Sequence, residues 1–281
     1  MASAVRTTPL PSGEPVSVLG QGTWHLGQGR HPRQTELDAL RRGLDLGLRL
    51  IDTAEMYGEG AAEQFVGEAV AGRRDEVFLV SKVLPHHATE AGTVAACEAS
   101  LRRLGTDCLD LYLLHWRGRV PLRETLRGFE RLRDTGRIRH WGVSNFDVAD
   151  LAELVRLAGG RDVATDQVLY NLLHREIEYD LLPWCLEAGL PVMAYSPIEQ
   201  GRLLTHPTLR AVAERHGATT AQVALAWVLD HERVIAIPEA GTPAHVEENR
   251  AAVGLRLTAV DLADLLEAFP PPVGPAPLPV H

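Results

Sequence analysis

The sequence predicts a (β/α)8 barrel whose floor is closed by an N-terminal β-hairpin. Eight short apolar runs recur along the chain, amphipathic helical patterns separate them, and polar residues stand at the ends of several runs. Near-continuous apolar strands alternating with helices indicate a parallel sheet covered by helices. Eight such units point to a closed barrel, and 281 residues suit one barrel domain.

The elements follow in chain order. RTTPLPSGEPVS (6–17) has a Pro-Ser-Gly-Glu turn between short extended pieces, which reads as the hairpin. VLGQGTW (18–24) is the first barrel strand, then LRLIDTA (48–54), VFLVSKV (77–83), LDLYLLHW (109–116), IRHWGVSN (138–145), ATDQVLYN (164–171), PVMAYSP (191–197) and VIAIPEA (234–240). Four helices are legible by their period: Leu37, Leu40 and Leu44 before Gly47; Val94, Leu101 and Leu104 before Gly105; Leu122, Leu126, Phe129 and Leu132 before Gly136; Ile177, Leu181, Trp184 and Cys185 before Gly189. Apolar residues three or four apart with glycine just beyond mark a helix that packs one face and stops at a left-handed cap. The barrel covers about 18–269. The last twelve residues, 270–281, hold six prolines, cannot continue a helix and are expected to run as an extended tail over the surface. No linker marks a second domain, so 1–281 is read as one.

Composition excludes several function classes. Hydrophobic residues at 45% and charged residues at 23% are ordinary for a soluble globular protein, which argues against disorder and against a membrane class. No apolar run approaches the ~18 residues of a membrane span, and Met1–Leu10 includes Arg6 and two threonines instead of a signal segment, so a cytoplasmic protein is expected. A net charge of −9 disfavours nucleic acid or an anionic membrane as partner. Cys97, Cys108 and Cys185 are odd in number and widely spaced, which fits buried thiols better than disulfides or a zinc site. His86-His87 is a sequential pair in a loop, without the spacing of metal ligands; no metal is expected.

One count is unusual. Of 28 basic residues only Lys82 is a lysine, and it stands in a run that reads as buried. An ammonium is compact and burial shifts its pKa; a guanidinium needs room for a planar fork and stays charged. The active site of a (β/α)8 barrel lies at the C-terminal strand ends, where Asp52, Lys82 and His115 end consecutive runs and Tyr57 follows Asp52 by five residues. Each alone has an ordinary explanation: Asp52 as a cap, Tyr57 as a loop aromatic, His115 as a core histidine. Together they form a proton-transfer device. Lys82, held charged by Asp52, is expected to lower the pKa of the Tyr57 phenol, and His115 to orient a carbonyl oxygen.

GLRLIDTAEMYGEG (47–60), SKV (81–83), LYLLHW (111–116), GVSNF (142–146), AYSP (194–197) and EEN (247–249) resemble the signature segments of aldo-keto reductases, in that family's order and spacing. The resemblance runs from about Val18 to Phe269. GQGTW (20–24) and His115-Trp116 are most similar to bacterial reductases of methylglyoxal and other small aldehydes. It implies hydride transfer between NADP(H) or NAD(H) and a small aldehyde or ketone, with Asp52, Tyr57, Lys82 and His115 as the catalytic tetrad and Tyr57 the general acid. It implies that Ser144, Asn145 and Gln167 hold the nicotinamide carboxamide and that Tyr195 stacks on the ring. Ser196, Ile198 and Gln200 would follow the pyrophosphate, Glu248 and Asn249 the adenine. Trp24 and Trp116 would wall the substrate, although rim packing explains either tryptophan as well.

The sequence departs from the family where relatives grip the 2′-phosphate of NADPH. IPEAGTPAHVEEN (237–249) has Glu239 and His245 where lysine and arginine are usual, and no lysine or arginine stands between Arg233 and Arg250. Dual cofactor use or a preference for NADH is therefore expected. The proline-rich tail looks too short to fold back as the long pocket-shaping loop of steroid-reducing relatives. A monomer is the family-level expectation. The competing reading is a non-catalytic cofactor-sensing or regulatory barrel subunit, which the intact tetrad disfavours.

Overall fold

A computed structural model describes residues 5–280. The chain opens with β1 (Thr7–Pro9) and β2 (Pro15–Ser17), an antiparallel hairpin. Eight parallel strands follow: β3 (Gln21–Gly22), β4 (Leu50–Asp52), β5 (Phe78–Val83), β6 (Leu109–Leu114), β7 (Ile138–Ser144), β8 (Asp166–Leu169), β9 (Val192–Tyr195) and β10 (Val234–Ala236). They pair in chain order, and the ends of the sheet meet: Leu19 bridges Ala236, Gly22 bridges Glu239, and the Gly22 amide donates to the Pro238 carbonyl at 3.0 Å. Gly22 has no room for a side chain there, because a Cβ would lie 2.7 Å from the Ile237 carbonyl oxygen. The barrel is thus closed.

Helices cover the outside: α1 (Arg33–Asp45), α2 (Ala61–Ala69), α3 (Glu90–Leu104), α4 (Leu122–Asp134), α5 (Val148–Leu154), α6 (Leu181–Glu187), α7 (Pro207–His216), α8 (Thr220–Asp230), α9 (Pro243–Ala251) and α10 (Ala259–Ala268). Gly47, Gly105, Gly136 and Gly189 stand just past α1, α3, α4 and α6 with φ between 65° and 84°, the left-handed stop that their positions predict. Among the described residues, no helix is long and apolar enough to cross a membrane.

Two elements differ from the sequence reading. The periodic stretch Ile177–Cys185 is not one helix; a 3-10 turn covers Glu176–Glu178, Asp180 leaves helical geometry at φ −142°, and α6 begins at Leu181. Pro183 is the cause, since its ring clashes with the carbonyl four residues earlier and allows a helix to start only within one turn before it. Helix α8 lacked a periodic signature because Ala221 and the whole run Val223–Leu229 are buried, leaving no polar face to set a rhythm.

The pleat decides which side chains enter the barrel. Leu50, Val80, Leu111, Leu113, Met193, Ile235 and Ile237 fill the interior with Leu10 and Val16 of the hairpin, while the alternate residues pack outward against the helices. Leu10 and Val16 close the N-terminal floor. Glu14 in the hairpin turn ties it down, accepting from Arg139 Nη2 and contacting His140 Nε2, each at 2.7 Å. Two residues beyond an inward Leu50, Val80 and Leu113 come Asp52, Lys82 and His115, so the same face delivers them to the opposite mouth.

Candidate active site

A cavity of about 840 Å³ opens at the C-terminal mouth of the barrel. Its walls include Asp52, Tyr57 and His115, with Lys82 fully buried beneath. Lys82 Nζ donates to Asp52 Oδ2 at 2.7 Å, to the Thr53 carbonyl at 2.9 Å and to the Tyr57 hydroxyl at 3.1 Å. All three donor positions of the ammonium are therefore used. The second oxygen of Asp52, Oδ1, accepts from Gln167 Nε2 at 2.8 Å. Tyr57 begins a 3-10 turn (Tyr57–Gly60) that swings its ring back over the end of β5.

Electrostatics overturn one expectation from the sequence. The Tyr57 phenol is not acidified: burial first, then the charges of Asp52 and Glu239, hold its pKa well above the usual value. Burial likewise lowers Lys82, against the opposing pull of Asp52. Desolvation outweighs the ammonium, whose charge Asp52 largely balances. Tyr57 thus stands as a protonated donor. His115 is pushed down to about 2 by burial and by Lys82, so its imidazole is neutral; it packs edge-on to Tyr57 at 5.9 Å between ring centres. Its Nδ1 is buried without a partner.

Strands β7 to β9 supply the next arc of the wall. Ser144 Oγ donates to the Gln167 carbonyl at 2.7 Å and accepts from Asn145 Nδ2, which also donates to the His115 carbonyl, both at 3.1 Å. Tyr195 donates from its hydroxyl to Asn145 Oδ1 at 2.9 Å. Asn145, Ser196 and Gln200 lie in the left-handed region at φ 59°, 48° and 52°, a conformation disfavoured for side chains other than glycine, and all three line the cavity. Trp24, stacked on His25, and Trp116, tilted against His115, line it too, as do Ile198 and Glu239. Neutral amides and hydroxyls beside the half-buried ring of Tyr195 suit a flat carboxamide-bearing ring, since each amide presents donor and acceptor together.

Besides Lys82, which lies beneath the walls, two of the residues named from sequence do not reach this cavity. Glu248 and Asn249 lie farther along α9, outside its walls, and Asn249 is 6% exposed. Glu239 is in the wall, but its carboxylate is turned to the neighbouring loop, accepting from the His25 amide at 2.8 Å with His25 Nδ1 at 3.4 Å. The structure adds residues that no strand end announces, His25, Arg30, Met56, Arg117 and Asp150, and places His245 in the wall as well. Val280 also lines the cavity, so the extended tail, though expected to be too short for a long pocket-shaping loop, brings one residue to the mouth. Eleven residues of extended chain from Phe269 span ~35 Å, ample to cross the mouth.

The same fold recurs in known proteins. The model of the aldo/keto reductase family matches residues 18–268. The chain belongs to the aldo/keto reductase family. It is an oxidoreductase of that family, 53% identical over 264 residues to the methylglyoxal reductase YeaE of Escherichia coli (strain K12), covering 92% of this chain and 93% of that one. It is 34% identical to a glyoxal reductase of Bacillus subtilis (strain 168), with 94% and 92% covered. Among solved structures, an aldo-keto reductase from Klebsiella pneumoniae in complex with NADPH superposes with a TM-score of 0.96 at 49% identity, over 99% of the reductase described here and 100% of that chain. The likeness to small-aldehyde reductases drawn from GQGTW and His115-Trp116 is borne out.

Proposed function

We propose that this reductase converts small aldehydes, α-dicarbonyls such as methylglyoxal among them, to alcohols, with Tyr57 as the proton donor. The observation that carries the reading is the Lys82 ammonium bridging Asp52 and Tyr57 at the cavity floor. When bound, the nicotinamide cofactor supplies hydride to the carbonyl carbon. The Tyr57 hydroxyl donates its proton to the carbonyl oxygen, and Lys82 stabilises the phenolate left behind. Asp52 keeps Lys82 charged, and Gln167 holds Asp52 in place. Neutral His115 orients the carbonyl oxygen, and Trp24 and Trp116 enclose the rest of a small substrate.

Ser144, Asn145 and Gln167 would hold the carboxamide, Tyr195 the ring, and Ser196, Ile198 and Gln200 the pyrophosphate. The adenine would then lie beyond the cavity, against Glu248 and Asn249 of α9. The reductase is proposed to accept both NADPH and NADH, because no lysine or arginine lies between Arg233 and Arg250. It is proposed to act as a single barrel domain and a monomer in the cytoplasm, a compartment that suits its three free cysteines. No contact in the site favours the non-catalytic reading. Cofactor oxidation followed with methylglyoxal, an aromatic aldehyde and a steroid ketone tests the assignment. Turnover of the aldehydes is expected; none with either cofactor refutes it.

A further inference from the structure

Two guanidinium groups line the cavity, and they differ in one respect. Arg117 is committed to Asp150 at 2.7 Å and Glu153 at 2.8 Å, whereas Arg30 has no hydrogen bond or ion pair among the described residues. Arg30 is nevertheless held in place through its backbone. Glu36, 1% exposed at the start of α1, accepts from the Gly27 amide at 2.9 Å and the His31 amide at 3.3 Å, pinning the loop on both sides of Arg30. His31 is seated directly on Gly241, where a Cβ would lie 2.3 Å from its ring. That contact brings the loop against the segment leading into α9, whose His245 shares the cavity wall. The carboxylate of Glu239 is turned to His25 and makes no ion pair with Arg30 among the described residues.

We propose that Arg30 reads the 2′-phosphate of NADPH, supplying from the first β/α loop the cation that the segment 239–249 lacks. A guanidinium binds a phosphate monoester through two parallel N–H···O bonds and offers nothing comparable to a ribose hydroxyl. An open Arg30 on a fixed backbone therefore adds affinity for NADPH, without any basic residue beside Glu239, in a site that still accepts NADH. The inference rests on the nicotinamide-cofactor reading above. The same fork would also bind a carboxylate or phosphate carried by an aldehyde, and the test separates the two sources.

Dissociation constants for NADPH and NADH, measured without substrate by tryptophan fluorescence quenching, compare wild type with Arg30→Gln. Losing one or two charge-assisted hydrogen bonds should weaken NADPH about ten- to a hundredfold, with NADH changed less than about threefold and the salt dependence of NADPH binding reduced. Arg30 is exposed, so its replacement leaves the core intact, which a melting curve verifies. Equal weakening of both cofactors, or of neither, overturns the proposal. So does unchanged NADPH binding with a loss of kcat/KM confined to carboxylate- or phosphate-bearing aldehydes, which assigns Arg30 to the substrate. Failure of wild type to bind either cofactor would instead refute the reading on which the inference rests.

Discussion

Lys82 Nζ lies 3.1 Å from the Tyr57 hydroxyl and is completely buried, its three N–H groups spent on Tyr57, Asp52 and Thr53. A planar guanidinium cannot meet three acceptors converging on one point. Lys82→Arg is therefore expected to lose nearly as much activity as Lys82→Met, both at least about a hundredfold below wild type in kcat, roughly 2.7 kcal/mol of barrier. Wild-type turnover and pH dependence in the Arg variant would show that charge alone suffices.

Removing only the proton should separate chemistry from binding. Tyr57→Phe is expected to abolish carbonyl reduction while cofactor quenching titrations stay close to wild type. Turnover within about tenfold of wild type, ~1.4 kcal/mol, would take the acid's role away from Tyr57.

Asp166 is 0% exposed, its Oδ2 has no partner, and burial holds its carboxyl pKa well above the usual value. A carboxyl with a raised folded-state pKa adds no ionisation cost in acid, where both states are protonated. As pH rises above the ordinary carboxylate range, the unfolded chain ionises first and stability falls until the folded value is reached. Asp166→Asn keeps the shape and removes the titration, so it should gain stability over wild type by about 1.4 kcal/mol per pH unit across that window. Denaturant melts at several pH values between 4 and 7 decide the matter; parallel curves would show that Asp166 does not carry this cost.

Glu239→Lys should shift the ratio of kcat/KM for the two cofactors towards NADPH by about tenfold, the size of one charge-assisted hydrogen bond. It should also lower Tm, because the His25 amide loses its acceptor. A wild-type preference for NADPH already above about a hundredfold would contradict dual use.

Small aldehydes and dicarbonyls should exceed a steroid ketone in kcat/KM, since the tail brings Val280 to the cavity. Removing residues 271–281 should narrow that difference. If steady-state kinetics give the truncated chain the same selectivity as the full one, the tail does not restrict entry.

The barrel was legible from eight apolar runs because both faces of a parallel strand are buried, and burial writes itself into hydrophobicity residue by residue. Three of the four residues at the cavity floor were legible for a related reason: a fixed period of two carries Leu50 to Asp52, Val80 to Lys82 and Leu113 to His115 on one inward face, whereas Tyr57 stands in the loop beyond Asp52. Lysine scarcity marked Lys82 before any contact was known. The break before α6 followed from a proline whose clash the periodic pattern masked. What only the tertiary structure decided lies in the loops. Glu239 turns to His25, His31 seats the loop that carries Arg30 on Gly241, and Val280 comes to the mouth from the far end of the chain. Even the direction of the Tyr57 pKa needed the fold, because desolvation depends on everything packed around a group and its charged neighbours name only part of that. Strands and helices repeat a local geometry that one stretch of sequence can state, whereas a loop takes its path from contacts with segments hundreds of residues away, and no period records those.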